Sequence, residues 1–165
     1  MEGATRAALL AAFTTLMVAP DAQRRGYELE SLLNDLFTLA KLDPKASFRL
    51  IGEQIDGAFT FDGDDYLLEA KWEKYPIPPA TLDVFDGKIG RKAAHTRGLL
   101  LAINGFQESA IALHSGRASA IILMDGADLM AVLEERIALP DLLRHKRRHA
   151  AHTGRVFIGV RDILS

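Results

Sequence analysis

At 165 residues, with 48% hydrophobic and 25% charged residues, the chain has the size and composition of one domain able to bury a core. The absence of cysteine excludes disulfides, thiolate zinc sites and cysteine nucleophiles, and fits a reducing cytoplasm. A formal net charge of -2 argues against binding nucleic acid through the overall field, so such a partner requires a local basic cluster; Arg144-His145-Lys146-Arg147-Arg148-His149 supplies one.

From the N-terminus, Ala7 to Ala19 is apolar and follows Arg6, as a secretory signal would. Leu9, Leu10, Phe13, Leu16 and Met17 recur at helical spacing, however, which predicts an amphipathic packing helix within residues 1–23. The run is too short to span a bilayer, and no membrane partner is expected. Arg24 to Lys41 reads as a second helix with Leu29, Leu32, Leu33, Leu36, Phe37 and Ala40 on its buried stripe, stopped by Asp43-Pro44. Glu30 lies at the edge of that stripe, facing the body of the protein.

Ser47 to Gly52 and Gln54 to Phe61 read as strands, the second alternating with Ile55, Phe59 and Phe61 on one face and Gln54, Asp56, Ala58 and Thr60 on the other. Asp62-Gly63-Asp64-Asp65 is hairpin chemistry leading into a strand over Tyr66 to Trp72. Tyr75-Pro76-Ile77-Pro78-Pro79 marks a loop, followed by a helix from about Leu82 to His95. Gly98 to Asn104 is a continuous apolar run, expected of a strand buried on both faces. A helix over Glu108 to His114, a strand over Ala120 to Met124, a helix near Asp128 to Glu135, a basic helix from Pro140 and a final strand over Val156 to Val160 complete the chain. This order predicts a mixed central sheet flanked by helices in a single α/β domain, residues 24–165 forming its main body.

Glu69-Ala70-Lys71 carries the strongest chemical signal. On a strand, Glu69 and Lys71 share a face with Leu67, and Asp56 approaches from the preceding strand. Asp56 and Glu69 can hold Mg²⁺, the main-chain carbonyl of Ala70 can add a ligand, and Lys71 can position a nucleophile or offset developing charge, the equipment of phosphodiester hydrolysis. The competing reading of a lone E-x-K is an ion pair on a sheet face. Charges on a strand covered on both sides are costly without a role, which favours the chemical reading. Gln54 shares the face of Asp56 and can touch a phosphate or serve as an ordinary polar strand residue. Lys88, Arg91, Lys92 and Arg97 are either a solvated face or phosphate ligands, and Arg97, ahead of the buried strand, is singled out as a substrate-binding candidate. Trp72 and Tyr75 could stack on a base, with packing at the strand end favoured. His145, His149 and His152 have the spacing of a zinc site, but their lysine and arginine neighbours would repel a cation, so a surface helix is expected.

The segments Arg25-Gly26-Tyr27-Glu28-Leu29-Glu30, Gln54-Ile55-Asp56-Gly57-Ala58-Phe59 and Leu67-Leu68-Glu69-Ala70-Lys71-Trp72 together resemble the restriction endonuclease-like, PD-(D/E)XK superfamily, in particular its Mrr-like branch. The resemblance extends over roughly residues 24 to 155, and it departs from the motif at Ile55, which stands where the naming proline would be. It implies a restriction endonuclease-like α-β-β-β-α-β core, Asp56 and Glu69 as metal ligands, Lys71 as the catalytic lysine and Glu30 as a further acidic residue. The implied activity is a Mg²⁺-dependent endonuclease acting on DNA, with Mn²⁺ as a substitute, in bacterial restriction or anti-phage defence. The alternative is a catalytically inactive nucleic-acid-binding or assembly module of the same fold. Cutting both strands would favour a homodimer, and a specificity or sensor function would fall to a partner chain.

Overall fold

Strand pairing sets the architecture of the computed structural model, which describes residues 5–117 and 119–165. β1 (Lys45–Leu50), β2 (Glu53–Phe61) and β3 (Asp64–Lys71) form an antiparallel meander; β3 pairs in parallel with β4 (Arg97–Ala102), and β4 in parallel with β5 (Ile121–Asp125). The β2–β3 turn places Asp62 and Gly63 at φ of 49° and 82°, the left-handed pair that a two-residue hairpin requires. Each parallel step needs a crossover, and α3 (Pro79–Gly90) and α4 (Glu108–His114) provide them.

Helices cover both sheet faces. On one face α1 (Arg6–Met17), α2 (Ala22–Leu39), α5 (Gly126–Leu133) and α6 (Leu139–Thr153) enclose a core that includes Leu33, Phe37, Phe59, Tyr66, Leu99 and Leu142. On the other, α3 and α4 bury Leu82, Phe85 and Ala110 against Leu67, Leu100 and Leu123. Because β4 sits between these layers, its side chains alternate: Leu99 and Leu101 enter the first core, Leu100 and Ala102 the second. That explains the unbroken apolar run in the sequence. At Gly98 a Cβ would lie 2.6 Å from Ile89 and 2.7 Å from Phe85, so only glycine lets α3 pack this closely on the strand.

Three expectations change. The segment Val156 to Val160 does not form a strand; it runs irregularly into the short helix α7 (Val160–Ile163). Side chains take the backbone groups that a strand would have used: Ser115 Oγ accepts from the Val156 N–H at 3.1 Å, Lys146 Nζ donates to the Ile158 carbonyl at 2.6 Å, and Asp128 Oδ1 accepts from the Val160 N–H at 2.8 Å. The helix expected to reach His95 ends at Gly90, since Gly87 and Gly90 lower its helical propensity there. The basic run on α6 is not uniformly exposed: Lys146 turns inward, 4% exposed, and its ammonium lies 2.8 Å from Asp128 Oδ2. Among the described residues, no helix is long and apolar enough to cross a membrane.

Candidate active site

β2 and β3 pair as far as Gly57 opposite Leu68, where a Cβ on Gly57 would meet Leu68 at 3.2 Å and the Lys45 carbonyl at 3.4 Å. Beyond this tight point the strands part. β2 carries Ile55 into the core beneath α3 and away from Phe59 and Phe61, which corrects the expectation that all three share one face. Asp56 lies in the opening, and its Oδ2 accepts from the Ala70 N–H at 2.9 Å, so a carboxylate binds a strand amide where the ladder has ended. The parting of the strands thus brings Asp56 onto the Glu69-Ala70-Lys71 segment.

Glu69 projects to the α3 side, where Lys88 Nζ lies 3.6 Å from its Oε1 and 3.4 Å from the Gln54 carbonyl. Lys71 is half-buried, and among the described residues no carboxylate lies within 4.0 Å of its ammonium. Glu69 and Lys71 therefore do not pair with each other, and the ion-pair partner of Glu69 comes from another element. Glu30 enters from α2 between the buried Leu29 and Leu33. Burial, reinforced by the charge of Asp56, pushes its carboxyl up to about 7. Asp56 thus reaches the Glu69-Ala70-Lys71 segment and stands near enough to Glu30 for its charge to act there, while Lys88 is the close counter-charge of Glu69.

The remaining sequence candidates divide. The Gln54 side chain is exposed, and its contribution to the opening is the backbone carbonyl. Arg97 lies at the start of β4, its Nε donating to Asp64 at 2.9 Å, at the end of the sheet remote from Lys71. Arg91 and Lys92 pair with Glu53. Lys88 alone of the four cations reaches Glu69, and the sequence held a signal for it: it adjoins the buried Ile89 at the edge of the α3 stripe, as Glu30 adjoins the buried Leu29 on α2. Trp72 packs between the Phe13 ring, 5.7 Å away between centroids, and the Arg25 guanidinium at 4.8 Å. Asn104-Gly105 forms a turn, with Gly105 at φ 81°, that ties β4 to the proline loop through an Ile77 N–H to Gly105 carbonyl bond of 2.9 Å.

Among the described residues no three histidine, cysteine or acidic side chains lie so that together they could hold a metal ion. The donor set nevertheless suits a hard ion such as Mg²⁺, which needs one or two protein carboxylates and retains waters. Among the described residues Asp56 Oδ1 has no partner beside the Oδ2 bond to Ala70, Glu69 is held by one lysine at 3.6 Å, and the Ala70 carbonyl follows Glu69 directly in sequence.

A mixed five-stranded sheet with this order of helices, opened between its second and third strands, is the restriction endonuclease-like α/β fold. The chain belongs to the restriction endonuclease family Mrr_cat, whose pattern matches residues 22–133. Comparison with curated proteins finds no significant match. Among solved structures, the chain is similar to the protein of unknown function AF1548, at 16% identity and TM-score 0.55 over 80% of each chain. It is also similar to protein VC1899 from Vibrio cholerae (14% identity, TM-score 0.54, 77% of this chain and 37% of that one). The DNA modification-dependent restriction endonuclease AspBHI matches at 16% identity and TM-score 0.52, over 86% of this chain and 39% of its own. The chain thus spans under two fifths of the length of the last two proteins.

Proposed function

We propose that the chain is a metal-dependent endonuclease that hydrolyses phosphodiester bonds of DNA at the opening between β2 and β3. The observation that carries this reading is Asp56 seated on the Ala70 amide beside Glu69, with Glu30 near enough that the charge of Asp56 adds to burial in raising its carboxyl to about 7. Like charges collected at a partly buried point cost stability, and a divalent cation would relieve that cost. Asp56, Glu69 and the Ala70 carbonyl would hold Mg²⁺, or Mn²⁺ in its place. When bound, such an ion polarises a scissile phosphate and lowers the pKa of an attached water.

The chain's own groups supply the rest. Lys71, on the face of Glu69 and with no carboxylate within 4.0 Å among the described residues, keeps its ammonium available to orient the attacking water and offset charge on the phosphoryl oxygens. Lys88 holds the Glu69 carboxylate toward the opening. Glu30, with its carboxyl near neutrality, can exchange a proton at working pH. The fold family supports a role in restriction or anti-phage defence within a cytoplasm. Two copies would serve to cut both strands, and a partner chain could supply specificity or a trigger.

Plasmid, single-stranded DNA and RNA incubated with Mg²⁺, with Mn²⁺ and with excess EDTA test the proposal. Divalent-dependent cleavage of DNA that EDTA abolishes is expected. Undiminished cleavage in chelator would remove the metal assignment, and no cleavage together with no metal binding would leave an inactive module of this fold.

A further inference from the structure

The opposite end of the sheet holds a basic recess of about 370 Å³ that the proposed chemistry does not use. Its floor is Ile121 and Ile122 at the start of β5, and Ala150 and Ala151 of α6 leave room above it. The Gly116 N–H donates to the Gly154 carbonyl at 2.7 Å and fastens the end of α4 to the end of α6 at its edge. Arg97 pairs in register with Tyr66 and Ala102 with Lys71, so the recess lies about 17 Å along the sheet from Lys71 at ~3.3 Å per residue.

Arg97, Arg117, Lys146 and Arg147 line this space together with His114, and among the described residues no carboxylate does. The acidic partners stand behind these cations. Asp64 Oδ2 lies 2.9 Å from Arg97 Nε and 3.6 Å from Arg147, and Asp83 Oδ1 lies 3.4 Å from Arg117 and 2.9 Å from His114 Nε2. Each carboxylate holds a guanidinium by one edge and leaves other N–H donors of its fork uncommitted. Lys146 is different, since its ammonium is spent on Asp128 and the Ile158 carbonyl. The His114 side chain is fully buried, yet neither ring nitrogen makes a hydrogen bond of sound geometry among the described residues, despite the nearness of Asp83. A buried polar group left in that state is costly, and an incoming acceptor would recover that cost.

We propose that this recess is a second, non-catalytic site that binds a phosphate group. Phosphate matches the site on three counts: it accepts paired N–H bonds from planar guanidinium forks, it accepts from an imidazole N–H, and it brings negative charge to a lining that has none. The ligand is either a small phosphate compound held within the recess or a backbone phosphate of nucleic acid lying across it.

Calorimetric titration with sodium pyrophosphate, without divalent metal and at constant ionic strength, tests this. One pyrophosphate per chain with a dissociation constant of about 1 mM or tighter is expected, with a matching rise in melting temperature. Arg97→Gln combined with Arg147→Gln should weaken binding by about tenfold or more, and Ala150→Leu should do the same by filling the space without changing charge. Asp56→Asn should bind pyrophosphate as the wild type does, which separates this site from the proposed nuclease centre. A labelled DNA duplex distinguishes the sources. Unchanged duplex affinity in the arginine variant assigns a small phosphate ligand, whereas reduced affinity with competition by pyrophosphate assigns a backbone phosphate. Absence of pyrophosphate binding by the wild type, or equal binding by Ala150→Leu, would overturn the proposal.

Discussion

Two groups of charges in this molecule are built on opposite principles. At the end of β5, Asp128 is fully buried and every oxygen is engaged: Oδ2 accepts from Lys146 at 2.8 Å and from the Asp125 N–H at 3.1 Å, and Oδ1 accepts from the Val160 N–H. Burial lowers the pKa of Lys146 while the charge of Asp128 opposes that fall, and burial raises Asp125 with help from Asp128. At the β2–β3 opening, by contrast, Glu30, Asp56 and Glu69 are only half-buried, and among the described residues the one ammonium within 4.0 Å of any of them, that of Lys88, reaches Glu69 alone. The first group satisfies itself and fixes the C-terminal segment. The second remains in deficit, the condition expected where a ligand completes a site.

The largest effect should come from breaking the satisfied group. Lys146→Met would strand a buried carboxylate and lower stability by about 3–5 kcal/mol in urea denaturation, with no dependence on Mg²⁺. Lys146→Met combined with Asp128→Leu should recover part of that loss. A single variant as stable as the wild type would erase the contrast between the two groups.

Lys71→Ala should behave in the opposite way. Cleavage should fall by about 100-fold or more, equivalent to ~2.7 kcal/mol of transition-state stabilisation, while melting changes little because no ion pair is lost. Equal losses of rate and stability would make Lys71 a structural residue.

A smaller effect sharpens the comparison through pH. The folded-state pKa of Glu30 is raised from 4.5 to about 7, so the native state binds its proton more tightly than the unfolded chain does. Without metal, the stability this proton confers is present below about 4.5 and lost as pH rises through 7. Glu30→Gln should remove this slope and raise stability above pH 7 by ~1 kcal/mol, a figure reduced for the solvent that reaches the half-exposed carboxyl. Thermal melts across that range in EDTA measure it, and an unchanged slope would mean that Glu30 is not under strain.

Much of this was legible from residues alone. The stripe on α2, the alternation along β2 and the apolar strand after the Asp62-Gly63 turn are read from pattern, and they placed Glu30, Asp56, Glu69 and Lys71 on their elements, as the apolar run marked β4. Long-range pairing was not legible. Nothing local to Lys146 shows that one cation of a basic run turns inward to Asp128, and nothing near Arg97 shows that Asp64 holds it at the far end of the sheet. The parting of β2 from β3 after Gly57 is likewise a property of two strands together. It moved Ile55 to the other core and made the Ala70 amide available to Asp56. The strand expected at Val156 to Val160 fails to form for the same reason, since Ser115, Asp128 and Lys146 claim its backbone groups from distant positions.

The central claim is that the acidic group at the β2–β3 opening is held short of cations so that a divalent metal can complete it. The most direct test is the melting temperature of the wild type and of Asp56→Asn, each in EDTA and in Mg²⁺. Mg²⁺ should raise the melting temperature of the wild type and leave Asp56→Asn unmoved, and in EDTA the variant should be the more stable of the two by ~1 kcal/mol through relief of repulsion. A wild type indifferent to Mg²⁺ beside a destabilised Asp56→Asn would show that the carboxylates serve the fold alone.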